Sequence, residues 1–365
     1  MVTRLNYLSN RFRVIPIEEP MSAQLSAAQA TTLPLEPQKL IRALSAFKDP
    51  RPVRSGLELA ITLVPFMALV TLMLFAVQAD NLYALMLTPL AGLFLLRLFI
   101  IQHDCGHGAF FANRSGNDWL GRALGVLTFT PYDCWRRSHA LHHATTGNLD
   151  NRGSGDIDTL TVREFFARSR FQRFFYRFYR NPVVLLGLGP AYQFLLRHRL
   201  PVGLFKDSLR YWVSAMGTNA GIALILFGLI YQFGFTTLML VFLPVLLIAA
   251  TLGVWLFYIQ HQFENAHWDS AQNWAFHDAA LMGSSHLALP AVLRWFSGNI
   301  GIHHIHHLSS RIPFYRLPEA LRALPNLEDL NRVSALQAFA SLRLALWDED
   351  QRRLITFREA KRAMV

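Results

Sequence analysis

Four long stretches of this chain are almost free of charged side chains, and they constrain its fold more than any other feature. They cover residues 56–77, 82–101, 211–231 and 235–260. A helix rises about 1.5 Å per residue, so about twenty apolar residues cross the roughly 30 Å hydrocarbon core of a bilayer. Hydrophobic residues make up 52% of the 365 residues and charged residues only 16%. The sequence therefore predicts an all-α fold, a multi-span membrane helical bundle with about four transmembrane helices.

Two further apolar stretches, 119–130 and 182–196, are too short to cross a bilayer easily. We expect them to form interfacial or re-entrant helices instead. Arg97 lies about one turn before the end of the second long stretch. At that position we expect its long side chain to extend and keep the charge at the membrane surface.

Basic residues predict the orientation of the bundle. The two short turns between paired spans, 78–81 and 232–234, contain no Lys or Arg, whereas residues 136–210 contain many. Because basic loops stay on the cytosolic side, we expect both termini and this long loop in the cytosol. The net charge of +11 fits a basic face against anionic lipid. No nucleic-acid-binding motif accompanies that charge, so we expect no nucleic-acid partner.

Three short clusters hold nine of the chain's 14 histidines. Their sequences are HDCGH at 103–107, HALHH at 139–143 and HHIHH at 303–307. Imidazoles three or four residues apart share one face of a helix, and neutral imidazole is the commonest metal ligand. One such pair is often only a solvated or core histidine, but three repeats favour a shared task. The pattern predicts a histidine-rich metal site with more than one metal.

The predicted spans bring the three clusters to one side of the membrane. The first cluster follows the second span, the second lies in the basic loop, and the third follows the fourth span. An even number of crossings returns them to the same face, as a shared site requires. His261, at the end of the fourth span, lies on this side as well. It is a fourth candidate contributor, and the alternative is an interfacial polar residue.

The residue types narrow the choice of metal. The clusters contain few carboxylates, unlike the soluble di-iron bundles that are built on glutamates. Zinc stays open on ligand type alone, but a structural zinc takes four ligands and a catalytic zinc three. Eight or nine imidazoles are too many for one zinc ion. A pair of redox-active irons explains their number better.

Four longer stretches carry a resemblance to a known family. They are HDCGHGAFF at 103–111, RRSHALHHATTGNLDNRGSGDIDTLTVREF at 136–165, YIQHQFE at 258–264 and GNIGIHHIHHLSSRIPFYRL at 298–317. Across roughly residues 50–325 the chain resembles the integral-membrane fatty acid desaturases. Within that superfamily it is most similar to the acyl-lipid enzymes of the delta-12 (omega-6) and omega-3 type.

The resemblance implies a non-haem di-iron centre with no catalytic residue beyond the metal ligands. The ligands it implies, position by position, are His103, His107, His139, His142, His143, His261, His303, His306 and His307. His304 is an extra histidine. We expect it either to have a structural role or to contact the metal ligands without binding the metal itself. Further residues that could contact the metal-binding histidines without binding the metal are Asn299, Asp104, Asp150, Asp156 and Glu264.

The resemblance also implies an oxidoreductase that uses O2 to insert a cis double bond into an acyl chain. The acyl-CoA delta-9 branch has a longer first box and an Asn where this chain has Phe257, so a membrane lipid is the expected substrate. Conversion of oleoyl to linoleoyl chains is the expected reaction. The alternatives are omega-3 or another regiospecificity, and di-iron hydroxylation of a lipid-like substrate. A membrane metal transporter is disfavoured, because transport sites lie near the bilayer midplane.

The electrons for this reaction must come from another protein. The sequence contains no cytochrome b5 module and no Gly-rich dinucleotide fingerprint, so we expect a separate ferredoxin or cytochrome b5 as donor. The arginines over residues 163–180 could dock such an acidic partner or bind lipid headgroups. The expected organisation is a cytosolic leader (1–55), a membrane desaturase domain (56–325) and a cytosolic helical tail (326–365), with the histidines in a cytosolic cap.

Overall fold

The computed structural model describes residues 37–153 and 155–363, and most of them are helical. The predicted all-α, multi-span membrane fold is confirmed. Most of the predicted leader, residues 1–36, lies outside the described residues, and its remaining part contains one short helix and the start of the first span. The predicted domain boundaries near residues 55 and 325 stay a prediction.

The α-helices are, in chain order, α1 (Pro37–Ser45), α2 (Pro52–Gln78), α3 (Thr88–His107), α4 (Arg114–Leu127), α5 (Tyr132–Thr145), α6 (Val162–Ala167), α7 (Arg170–Tyr179), α8 (Gly189–Ala191), α9 (Leu209–Phe233), α10 (Phe235–His261), α11 (Phe276–Met282), α12 (Ala291–Phe296), α13 (His303–Leu308), α14 (Leu317–Ala323), α15 (Ala335–Ala340) and α16 (Phe357–Ala363). The strands are β1 (Leu160–Thr161), β2 (His286–Ala288), β3 (Arg332–Ser334), β4 (Leu344–Asp348) and β5 (Arg353–Thr356).

Four helices are long and apolar enough to cross a membrane, as the sequence predicts. They span Pro52–Gln78, Leu82–His107, Leu209–Phe233 and Phe235–His261, the second including a 3-10 turn before α3. All four run further than the charge-free stretches suggested, and two of them reach histidines. The span that contains α3 continues through the first histidine cluster, and α10 ends on His261. Helical hydrogen bonding therefore fixes these histidines rigidly at the ends of spans.

The helices α3 and α10 pack closely against each other at the centre of the bundle. A Cβ added at Gly92 of α3 would lie 2.7 Å from Ile248 Cγ2 of α10, so only glycine permits this approach. Leu95 and Leu98 of α3 and Val245 of α10 are buried here. This contact brings the histidine-bearing ends of the two helices together.

The expectation that Arg97 extends to the membrane surface is wrong. Only 1% of its side chain is exposed, and its guanidinium pairs with the Glu58 carboxylate of α2. It also donates to Thr62 Oγ1 at 3.1 Å and to the Trp295 carbonyl, and it lies 3.9 Å from the centre of the Trp295 ring. A buried carboxylate partner within the bundle makes this position more favourable than extension into the interface.

The two shorter apolar stretches are not among the four candidate spans. Residues 119–130 fall mainly in α4, and residues 182–196 form two π-helical segments, Val184–Leu188 and Tyr192–Leu196, on either side of α8. The second stretch lies against a span, because Thr251 Oγ1 of α10 donates to the Leu186 carbonyl at 2.8 Å.

The tail is not purely helical, contrary to the prediction. β4 and β5 pair antiparallel, and β4 pairs in parallel with β1, giving a three-stranded sheet in the order β1-β4-β5. Leu346 and Ile355 of this sheet share a small core with Phe165 of α6 and Tyr176 of α7. The tail forms strands because buried apolar side chains of β4 and β5 close this core, a long-range effect that local helix propensity does not report.

Candidate metal centre

The nine histidines predicted as ligands come together in two groups. The first group consists of His103, His107, His139, His143 and His306, and the second of His142, His261, His303 and His307. In each group one ligand atom per residue lies within 4.8 Å of all the others. Each group could therefore hold a metal ion.

Helical spacing explains how two elements serve both groups. His139 and His143 are four residues apart on α5 and join the first group, while His142 faces the second. In α13, His303 and His307 join the second group and His306 the first. Positions i and i+4 lie about 40° apart around a helix, whereas i+3 and i+4 lie about 100° apart, so adjacent histidines point to neighbouring sites. The HxxHH pattern therefore distributes its imidazoles over two neighbouring sites.

The ring nitrogens of each group converge closely. His139 Nε2 lies 3.0 Å from the Nε2 atoms of His103 and His107 and 3.1 Å from that of His143. In the second group His261 Nε2 lies 3.1 Å from His142 Nε2 and 3.0 Å from His303 Nε2. One N–H can point to only one acceptor, so the remaining lone pairs face each other. A shared cation removes that repulsion.

Several ring nitrogens at the site are buried without a protein partner among the described residues. They include both nitrogens of His306, His303 Nδ1 and His307 Nε2. A buried polar atom without a partner costs roughly 1–3 kcal/mol, and metal coordination would satisfy those that face the groups. The donor set, neutral imidazole, suits iron as well as zinc. The residues present therefore fit a metal ion in each group.

Burial keeps the site histidines outside the spans in the ligand form. Desolvation lowers the pKa of His139, His143, His303, His306 and His307 well below the usual range, and neighbouring imidazoles lower it further. These rings are therefore neutral at physiological pH. Neutral imidazole has the free lone pair that metal binding requires.

Three ligand candidates have a hydrogen-bond partner on the ring nitrogen that points away from their group. His142 Nδ1 contacts the Asp156 carboxylate, His103 Nδ1 lies 3.4 Å from Asp104 Oδ1, and His261 Nδ1 lies 3.2 Å from the Gly283 carbonyl. Such contacts fix the tautomer and direct Nε2 towards a metal.

The two aspartates differ in their second oxygen atoms. Asp104 Oδ2 accepts from the Phe314 amide at 2.7 Å. Asp156 Oδ2 is buried without a partner in the part of the chain that the structure describes. Asp156 also lines a small cavity beside the second group, together with Thr146 and Phe257.

The other three residues that were expected to contact the metal-binding histidines have partners outside the two groups. Asp150 Oδ2 accepts from the Ala271 amide at 2.7 Å, and Glu264 pairs with Arg353 at 2.7 Å. Asn299 Nδ2 donates to the Phe314 carbonyl at 3.2 Å. These contacts stabilise loops around the site.

His304 points away from both groups. Its Nε2 lies 3.0 Å from the Leu327 carbonyl, and its ring lies 5.6 Å from that of His286, which contacts the Glu328 carbonyl at 2.6 Å. Burial lowers the pKa of His304 to about 3. The two rings connect the third cluster to the segment 325–330, so a structural role remains our interpretation of His304. His198, His267 and His277 also lie outside both groups.

Two contacting residues escaped the sequence reasoning. Trp135 stacks on His139, with ring centres 4.6 Å apart, and its position four residues earlier on α5 is a signal that could have found it. Arg180, only 3% exposed, donates to Tyr258 at 3.2 Å and to Gln262 at 2.8 Å, on either side of His261. No local pattern distinguishes Arg180 from the exposed arginines before it.

Comparison with known proteins agrees with this geometry. The family model described as fatty acid desaturase matches residues 80–334, which include every histidine of the two groups. The chain belongs to the fatty acid desaturase family. It is an oxidoreductase of acyl lipids and an integral membrane protein, and its relatives include desaturases from several organisms.

Three of these relatives match between 62% and 90% of the chain. A protein of Bacillus subtilis named fatty acid desaturase is 40% identical over 330 residues, 90% of this chain and 93% of its own length. An sn-1 acyl-lipid omega-3 desaturase (ferredoxin) of Synechocystis is 29% identical, covering 64% of this chain and 65% of its own. An sn-1 oleoyl-lipid 12-desaturase of Synechocystis is 26% identical, covering 62% and 64%.

Proposed function

We propose that this desaturase inserts a cis double bond into an acyl chain of a membrane lipid, with O2 as co-substrate, and converts oleoyl to linoleoyl chains. The observation that carries the proposal is the pair of buried histidine groups at the ends of α3 and α10 in a chain of this family. The overall reaction balances when one O2, two electrons, two protons and the two hydrogens of the acyl chain give two water molecules.

We infer that each histidine group holds one iron ion. The first group would supply five imidazoles and the second four, more than the three protein ligands that a catalytic zinc takes. Bound iron would supply the redox chemistry that removes hydrogen from an unactivated methylene, which no side chain can do alone. Convergent Nε2 atoms and buried ring nitrogens without partners support this assignment.

The protein's own residues orient and shield this site. Asp156, Asp104 and the Gly283 carbonyl hold the outer ring nitrogens of three histidines. Burial excludes water, so side reactions of the oxidant with solvent are limited. Because His103, His107 and His261 end the spans, the acyl chain can reach the site from the hydrocarbon without leaving the bilayer.

We propose that the histidines lie on the cytosolic side and receive electrons from a separate ferredoxin or cytochrome b5. Support for the orientation comes from the turns 78–81 and 232–234, which lack basic residues, and from the basic loop between the spans. Support for ferredoxin as the donor comes from the Synechocystis omega-3 relative, whose name includes ferredoxin.

The regiospecificity is tested by the fatty acids that the enzyme makes. Expressed aerobically in a host whose lipids contain oleoyl chains but no dienes, the enzyme should produce linoleoyl lipids. Gas chromatography and mass spectrometry of the methyl esters identify the diene and the positions of its double bonds. A His139→Ala variant expressed at the same level is the control and should produce none.

Other products would revise the proposal in distinct ways. The omega-3 relatives favour a second regiospecificity, which a triene formed from supplied linoleoyl chains would reveal. A monoene made directly from a saturated chain would keep the desaturase and refute the delta-12 assignment. Hydroxylated chains in place of alkenes would refute desaturation by this site.

A further inference from the structure

The helix α7 exposes a continuous aromatic face. Phe171 is 71% exposed and Phe174 63%, and Phe175 and Phe178 are about half exposed. Positions i, i+3, i+4 and i+7 share one side of a helix, so these four rings form a single stripe. Four exposed Phe side chains on ten residues form an apolar patch that water does not favour.

The opposite face of α7 is anchored to the protein. The Tyr176 hydroxyl donates to the Ala345 carbonyl at 2.6 Å and accepts from the Leu160 amide at 3.0 Å. The Tyr179 hydroxyl accepts from the Asp158 amide at 3.1 Å. These bonds fix the rotation of the helix about its axis. The Phe stripe therefore cannot turn inward and must contact either the membrane or another protein.

The position of α7 coincides with the end of a membrane span. Arg180, directly after α7, bonds to Tyr258 and Gln262 at the end of α10. The chain then enters the segment 182–196, which lies against α10 and exposes Val183, Leu188 and Tyr192. The Phe stripe therefore leads, along the chain, into apolar surface beside a span.

The charge of α7 is suited to anionic lipid. Its sequence, RFQRFFYRFY, contains three arginines and no acidic residue. Arg170 and Arg177 are exposed and lie on the helix between the Phe stripe and the anchored face. A helix with aromatic residues on one face and arginines at the border is typical of helices that lie in the membrane interface.

We propose that α7 lies in the membrane–water interface, with its Phe stripe among the acyl chains and Arg170 and Arg177 against the phosphates of anionic lipids. This contact goes beyond the proposed catalytic function. It would seat the β1-β4-β5 sheet and its helices on the bilayer and, through Arg180, hold the end of α10 that carries His261.

A nitroxide label measures the depth of α7 directly. Full-length Phe174→Cys protein is labelled and reconstituted in vesicles of phosphatidylcholine with a minority of phosphatidylglycerol. The relaxation of the label by O2 and by a water-soluble nickel chelate is then compared. Asp329→Cys, at an exposed loop position, is the matched control, and labelled wild type corrects for Cys105 and Cys134.

We expect the label at position 174 to be relaxed strongly by O2 and weakly by nickel, and the label at 329 to show the reverse. Equal access of nickel to both labels would overturn the proposal. Protection at 174 that arises only after an electron carrier protein is added would also overturn it, in favour of a protein-docking face.

The role of the arginines is tested separately. In phosphatidylcholine alone the label at 174 should lie closer to water than in the mixed vesicles. In an Arg170→Gln/Arg177→Gln background this difference between the two lipid compositions should disappear. The same depth in both compositions for the unsubstituted arginines would refute the headgroup contact. Neither outcome depends on turnover, so failure here is distinguishable from failure of the proposed reaction.

Discussion

Replacement of Asp156 should weaken metal binding in the second group and leave the first unaffected. Asp156 contacts His142, a member of the second group only, and its carboxylate fixes the outer nitrogen of that ring. Loss of such a contact typically lowers metal affinity 10–100-fold, which is about 1.4–2.8 kcal/mol. We expect about tenfold for Asp156→Asn, whose amide oxygen can still accept from the ring, and a larger effect for Asp156→Ala.

The assay is iron content after equilibration with a graded series of chelator concentrations. In the Asp156 variants, one iron per chain should be lost at a lower chelator concentration than the second iron. The wild type should retain both irons at that concentration. Asp150→Asn is the matched control, because Asp150 binds the Ala271 amide and not a site histidine. Simultaneous loss of both irons, or retention equal to that of wild type in both Asp156 variants, would refute this reasoning.

Three further substitutions test other parts of the structure. His261→Ala should abolish desaturation and lower the iron content, both measured on purified protein, whereas His277→Ala, outside the groups, should change neither. Arg97→Met should destabilise the protein by about 1–3 kcal/mol, because the buried Glu58 carboxylate loses one of its two arginine partners and keeps only Arg54. Thermal unfolding in detergent should show partial recovery in Arg97→Met/Glu58→Met. His304→Ala should lower the unfolding temperature, since the Leu327 carbonyl loses one of its two hydrogen bonds, worth roughly 0.5–1.5 kcal/mol, and keeps only that from the Leu330 amide, while iron content stays the same.

The sequence predicts which histidines come together, because their spacing is local. Residues four apart on one helix meet the same site whatever surrounds the helix, and the charge-free stretches predicted the spans for a similar reason. Spacing alone did not reveal the division into two groups. Whether His142 joins the group of His261 or that of His103 depends on how α5 is rotated against α3 and α10, which is a property of packing.

Long-range contacts account for the features that sequence reasoning missed. Arg97 has a charged partner 39 residues away on another span, so its own position near a span end was misleading. The three-stranded sheet of the tail includes β1 from a distant part of the chain, where Leu160 pairs with Leu346, and this register is not visible in either segment. Arg180 resembles the exposed arginines of α7 in sequence and differs from them only in the partners that the fold supplies.

We expect the two histidine groups to hold two irons that carry out desaturation. The most direct test is the metal content of purified protein whose turnover of acyl lipid is measured on the same preparation. We expect two irons per chain, one for each group, with activity proportional to iron occupancy. Full activity in protein that contains stoichiometric zinc and no iron, or only one iron per chain, would contradict the claim.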